Sequence, residues 1–394
     1  MLVPQELVNL IVCNLAGDAP SLRSCSLAAR TFVHPSQSLL FKRIDILPPT
    51  RSGDDPCQKF HQTIISSPHL ASLVQDLRLV LAVGDQDEPS AAGDPRPSWI
   101  LSGKTLSLML PLLRLKHISL IDNARRYAST NRATAGLNWS QLGRSLQSAL
   151  IAAFCSPSLP SVRLKWVAFS SPRELLSLFC DATSLKLLHL SCIAFDLTHK
   201  GDSWPQSRAW RPKLTSIYCF ELEGDTFHPY FRNPQIDLSG LTTLTIFASS
   251  MNEWSFRPHV IPALENLMLY VPHSLDFKSL VTPRLRSLQA FTSDWSEDLL
   301  QFCRVCPRNA LLEVLSLDGA RTHCTVDLAV LNDAVESLLS DLPSFEMVEF
   351  RVLETRGADH QAFLDWSEEV RASLYSLESR HLLVFTKLLG SYMQ

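Results

Sequence analysis

The chain has 394 residues, 46% hydrophobic and 19% charged. This describes a globular protein with apolar side chains enough for a large core or two domains, and it excludes disorder as the default state. A net charge of -3, with a pI near 6.5, leaves no basic excess for capturing nucleic acid or an anionic membrane.

The chain opens on "LVPQELVNLIVCNL". It lacks a basic leader and carries Pro4 and Glu6 early, so it is a poor signal peptide. No apolar run approaches the roughly 18 to 20 residues that span a bilayer. The ten cysteines sit mostly inside apolar segments, as free thiols do in a reducing compartment. The expected location is cytoplasmic or nuclear.

Pro4 suits the first position of a helix, and Glu6 favours the same end electrostatically. Leu7, Leu10, Ile11, Asn14 and Leu15 follow helical spacing on one side, while Val8 and Val12 lie on another. A surface helix normally has one apolar stripe, so this one needs two covers. "GDAP" ends it, and a second helix follows Asp18 and Pro20, with Leu22, Cys25 and Ala29 on one face. A third is expected to begin at Pro35 and run through Leu39, Leu40 and Phe41, before "RIDIL" alternates as a strand. A trihelical unit this small is near the lower limit for supporting its own core.

"LVPQELVNLIVCNL" followed by "SLRSCSLAARTFVHPSQSLLFKRI" resembles the F-box motif, in the form common among fungal F-box proteins. The resemblance rests on Pro4 and Glu6 ahead of an apolar helix, Leu22, "CSLAAR" ending in Arg30, Phe32 and the closing "LLFKRI". Ala29 stands where the family has a larger or more polar residue, and Phe32 where it has Trp. The resemblance implies docking on a Skp-family adaptor and, through it, on a cullin ubiquitin ligase. The adaptor-binding residues it implies are Pro4, Leu7, Val8, Ile11, Leu15, Leu22, Leu27, Phe32 and Leu40. The alternative is that the second apolar face merely caps the domain that follows.

That domain is repetitive. "LPSVRLKWVAF" from Leu159 and "LKLLHLSCIAF" from Leu185 superpose, and looser copies of L-x-x-L-x-L begin at Val74, Leu115, Leu214, Leu241, Leu264, Leu285, Leu312 and Phe345. From Leu159 onward the starts are mostly 21 to 29 residues apart, with helical stretches such as "PRELLSLFCD" and "SEDLLQFC" between them. The pattern resembles leucine-rich repeat proteins without the Asn or Cys that follows the second leucine. "GDQDEPSAAGDPRPS" and "KGDSWPQSRAWRPK" read as exposed loops. "HQAFLDWSEEVRASLYSL" reads as helix and "HLLVF" as a last strand, together closing the end.

The expected fold is α/β: an F-box-like trihelical domain over residues 1–46, a connecting segment over 47–72, and an irregular leucine-rich-repeat-like solenoid over 73–394. Its parallel sheet forms the inner face, and its helices lie outside. In each strand the leucines point to the core and the two intervening residues point the other way. The second intervening position gives Ile121, Lys165, Ser191, Phe220, Phe247, Tyr270, Phe291, Asp318 and Arg351. The first adds Tyr218 and Met268, with Arg163 and His189 toward one end and Glu349 toward the other. Tyr218, Phe220, Phe247, Met268, Tyr270 and Phe291 are therefore the candidate target-binding residues, unless an insertion or the C-terminal helix covers them.

"SGKT" at Ser102 lacks the leading glycine of a phosphate loop and reads as a helix start. Cys303 and Cys306 are spaced like half a zinc site that His323 and Cys324 could complete, but they read better as one face of a helix end. With no catalytic motif of a known spacing, the expectation is a non-enzyme with no cofactor and no metal. It is a substrate-recognition subunit of a Skp-cullin-F-box ligase or, alternatively, an interaction scaffold outside ubiquitination.

Overall fold

Leucines at alternate positions of a short strand all point to one side, and a parallel neighbour can follow only after a crossover segment brings the chain back. In the computed structural model every copy of the repeat becomes a strand beginning two residues into the copy. The structure describes residues 3–49, 55–81, 100, 104–122, 137–195, 210–220, 236–247, 261–270, 280–291, 294–308, 310–318, 326–354 and 360–389. The chain forms two compact units, Met1–Pro212 and Lys213–Gln394. No helix among the described residues is long and apolar enough to cross a membrane.

The first unit begins with three helices, α1 (Gln5–Asn14), α2 (Ala19–Ala28) and α3 (Arg30–Leu40). Pro4 is the N-cap of α1 rather than its first residue, and the Asp18 side chain caps α2 by accepting from the Ser21 N–H. Ala29, in extended backbone, ends α2 and lets α3 start at Arg30, so Pro35 lies inside the third helix and does not open it. The longer helix brings both Phe32 and Leu40 onto a core of Val8, Val12 and Leu22.

Next come β1 (Arg43–Ile46), α4 (Pro56–Ser66), β2 (Asp76–Val80), α5 (Thr105–Met109), β3 (His117–Ile121), β4 (Leu137–Asn138), α6 (Arg144–Phe154), β5 (Ser161–Lys165), β6 (Val167–Phe169), α7 (Pro172–Ser177), β7 (Leu187–Ser191) and β8 (Ala194–Phe195). Strands β1, β2, β3, β5 and β7 pair in that order, all parallel. Because β1 pairs with β2, the sheet starts at Arg43. This first strand lies within the residues read as the trihelical domain, and α4 lies within those read as a connecting segment.

After β5 and β7 the chain turns at Trp166 (φ 58°) and Cys192 (φ 52°), both left-handed. It then enters β6 and β8, which join β4 in a second parallel sheet. The two best-matching copies thus share their turn as well as their strand. Val167 and Ile193, the first residues past these turns, are buried. The ring of Trp139 stacks on Phe169 and Phe154, and Phe154 meets Phe179, which ties α6 to this second sheet.

The second unit contains β9 (Ser216–Phe220), β10 (Thr243–Phe247), β11 (Asn266–Tyr270), β12 (Ser287–Phe291), α8 (Trp295–Val305), β13 (Val314–Asp318), α9 (Leu328–Asp341), β14 (Met347–Glu354), α10 (His360–Ser373), α11 (Tyr375–Glu378) and β15 (Leu383–Leu389). These strands also pair in chain order and in parallel. Phe350, at a leucine position of β14, meets Trp295 of α8 and Trp366 of α10 edge to face, and Phe385 of β15 stacks beside it. Helices α8 and α10 therefore cover the leucine face at β14, as the repeat pattern requires.

The loop from Gly84 to Ser98, residues 200–209 of the second expected loop, Ser102 with Gly103, and His323 with Cys324 lie outside the described residues. Lys104 and Thr105 of "SGKT" stand at the start of α5. Phe154 is fully buried between two rings, so Phe154→Ala should cost about 3 to 5 kcal/mol of stability, read from urea unfolding of the intact chain.

Candidate functional site

The three surfaces that could bind a partner arise from the same rule: the side of an element that is not needed for the core is free to carry other chemistry. On α1 the core takes Val8 and Val12, each almost fully buried. Val3, Leu7, Leu10 and Ile11 then form a second stripe that stays between 47% and 60% exposed, and Leu27 of α2 is 87% exposed. Of the nine expected adaptor contacts, Pro4, Leu7, Ile11 and Leu27 are on the surface. Val8 and Leu22 are not, because they are the centre of the trihelical core, and Leu15, Phe32 and Leu40 pack partly against it. Leu10 and Val3, which the sequence reading did not select, complete the exposed stripe.

The second surface is the face of the second unit's sheet opposite the leucines. Register places Phe220, Phe247, Tyr270, Phe291, Asp318 and Arg351 side by side on successive strands. The rings form a ladder: Phe220 to Phe247 4.4 Å, Phe247 to Tyr270 5.5 Å, and Tyr270 to Phe291 6.3 Å between centroids. All four are half-buried, as are Tyr218 and Met268 in the neighbouring row. Helix α10 packs on the other face through Trp366, so it does not cover them.

At Tyr270 the ladder passes into a polar network that the sequence reading missed. The Tyr270 hydroxyl donates to Asp318 Oδ2, and Gln289 Nε2 donates to both Tyr270 Oη and Asp318 Oδ2, each at 2.7 Å. Glu349 accepts from Ser316 Oγ at 3.1 Å and from Thr386 Oγ1 at 2.7 Å, and Arg351 Nε lies 2.8 Å from its Oε2. Arg351 also reaches Asp318 Oδ1, at 4.0 Å. Burial pushes the Asp318 carboxyl above its ordinary range, against the pull of its hydrogen bonds to Tyr270 and Gln289 and of the Arg351 charge. Burial and the bond to Asp318 push the Tyr270 phenol up as well. Gln289 and Ser316 sit in the same intervening row as Met268 and Glu349, so the alternation that gave that row was the signal that could have found them.

The third surface is the corresponding face of the first unit. Asp45, Arg78, Ser119, Arg163 and His189 are direct register neighbours across β1, β2, β3, β5 and β7. In the next row Ile121 and Ser191 are buried, with the half-buried Lys165 between them. Desolvation and the cations Arg163 and Lys165 push the His189 imidazole down to about 4.

No protein-family model matches the chain, and no curated protein is significantly similar to it. The geometry is therefore the main guide to the chemistry. No group of three His, Cys, Asp or Glu side chains among the described residues is placed to hold a metal ion. Cys303 and Cys306 end α8 and its exit, where burial pushes both thiols up to about 12 and keeps them protonated.

Two outcomes follow. Tyr270→Phe keeps the ring ladder but leaves Asp318 short of a donor, which should cost about 1 to 3 kcal/mol in urea unfolding. The folded His189 takes up its proton only near pH 4, whereas the unfolded side chain does so near 6.5. The unfolded state therefore binds more protons between these values, and stability falls as pH drops through that window. His189→Gln should flatten the dependence of the urea midpoint on pH there; an unchanged slope would show that His189 titrates normally.

Proposed function

We propose that the chain is the substrate-recognition subunit of a Skp-cullin-F-box ubiquitin ligase. It would hold a Skp-family adaptor through α1 and α2, and a target protein through the sheet faces opposite the leucines. The observation that supports this reading is the stripe of Val3, Leu7, Leu10 and Ile11, left uncovered while the other face of α1 closes the trihelical core. Burying one such side chain is worth about 1.5 to 3 kcal/mol, so a partner that covers the stripe gains a firm hold without disturbing the core.

In this reading the chain performs no chemistry of its own. It raises the effective concentration of a target at a ligase assembled on the adaptor. The ladder from Phe220 to Phe291 supplies aromatic area of the kind that dominates binding hot spots, and the side chains that line it are already held in register by the backbone.

The test is a binding titration of the full chain against a purified Skp-family adaptor. Leu7→Asp and Leu10→Asp should each weaken binding more than about ten-fold while leaving the melting temperature nearly unchanged, because both side chains are exposed. Val8→Asp, in the core, should unfold the trihelical unit instead. A folded chain that does not bind the adaptor would sink the ligase reading and leave an interaction scaffold.

A further inference from the structure

The helices of the first unit carry a local separation of charge that the net charge of -3 conceals. Helix α4 packs on α5, and α5 on α6. Each lies between two parallel strands and carries the chain back to the start of the next, so the three run the same way. Their inner faces serve the core: Cys57 and Ile64 of α4, Leu106 and Met109 of α5, and Leu146, Leu150 and Phe154 of α6 are buried. Two kinds of side chain remain outside. Ile65, Leu108 and Ile151, each in the carboxyl-terminal half of its helix, and Leu112 just beyond α5 are 36% to 62% exposed. Lys59, Lys104, Arg114 and Arg144 are exposed as well. Residues 56–66, 104–114 and 144–154 contain no Asp or Glu. Arg144 is the first residue of α6, where a cation works against the helix dipole, so helix stability does not account for it.

Apolar side chains scattered singly over a surface are ordinary. Four of them at corresponding places on adjoining helices, among cations and without a carboxylate, ask for a partner that is both negative and apolar. An acidic amphipathic protein segment and an anionic bilayer meet that description. A protein must carry a pocket set to each protruding side chain, whereas headgroups move laterally to meet cations and fluid acyl chains close around aliphatic groups at any spacing. The apolar row crosses three helices, one side chain or two from each, and this is the arrangement that a broad, fluid surface meets best. A nucleic acid would supply the charge and nothing for Ile65 or Leu108.

We propose that the outer face of α4, α5 and α6 docks on an anionic lipid surface. Ile65, Leu108, Leu112 and Ile151 enter the boundary between headgroups and acyl chains, and Lys59, Lys104, Arg114 and Arg144 face the headgroups. The contact is peripheral, and salt weakens it because part of the attraction is coulombic. It does not depend on whether the chain engages an adaptor.

The experiment is co-sedimentation of the full chain with vesicles of phosphatidylcholine alone or with about 30% phosphatidylserine. The anionic vesicles should bind about ten-fold or more tightly, and raising the salt from about 0.1 M to about 0.5 M should remove most of that difference. Lys59→Gln combined with Arg144→Gln should weaken binding to the anionic vesicles about ten-fold. Ile65→Ser and Leu108→Ser should each weaken it about five-fold with the melting temperature unchanged, because both side chains are exposed. Arg211→Gln, at an exposed arginine 3.8 Å from Asp181, and Leu7→Asp on α1 should leave it intact. Equal binding to both vesicles, no binding, or binding that survives the substitutions on α4, α5 and α6 would overturn the proposal. So would an acidic amphipathic peptide that binds through Leu108 where vesicles do not. The adaptor titration, repeated on the same variants of α4, α5 and α6, should be unchanged, which separates failure of this surface from failure of the ligase reading.

Discussion

Everything in the sheet of each unit depends on parallel pairing in which each core-facing apolar side chain sits directly beside that of the next strand. Leu164 stands between Leu120 and Leu190, and Leu244 between Ile217 and Leu267. These side chains are nearly or wholly inaccessible. No single strand could achieve that, since one strand and its crossover present an apolar face with nothing to cover it. A slip of one residue would turn every leucine outward and every charged neighbour inward, so the register that builds the core also fixes which residues share a row on the other side.

That coupling explains what the sequence made legible. A period of two is written directly into L-x-x-L-x-L, and it placed the strands and the aromatic column, because alternation needs no knowledge of distant residues. The polar network of Tyr270, Gln289, Asp318 and Glu349 was harder to see. Each member looks ordinary in its own strand, and only pairing between segments far apart in the chain brings Gln289 against both Tyr270 and Asp318. At the amino terminus, periodicity showed that α1 has two apolar faces but could not decide which is internal. The packing of Phe32 and Leu40 decided it for Val8 and Val12. Pro35 misled for a local reason: proline favours a helix start, but here the extended Ala29 provides the start five residues sooner than expected from Pro35.

The two units use the same construction for different chemistry. In the first, the row opposite the leucines holds arginines around a serine; in the second, it holds stacked rings that end in the buried Asp318 and the guanidinium of Arg351. Neither row contributes to the leucine core, so each could diverge without threatening the fold, as the free face of an amphipathic element generally can. Trp166 and Cys192 belong to the same logic. Their left-handed backbone sends the chain into the second sheet, where Val167 and Ile193 bury apolar side chains at the corner.

Strand order within each unit follows chain order, and this has a consequence for synthesis on the ribosome. A sheet whose every strand pairs only with its immediate predecessor and successor can form as it emerges, without waiting for a distant segment to return. The cost is that, at each moment, the newest strand offers an unpaired edge and a row of bare leucines, a surface prone to joining other chains. In the second unit the aromatic cluster of Phe350, Trp366 and Phe385 covers the apolar face where β14 meets β15. Those rings come from β14, α10 and β15, so a chain cut short before Leu383 would be released with Phe350 and Trp366 lacking the ring of Phe385.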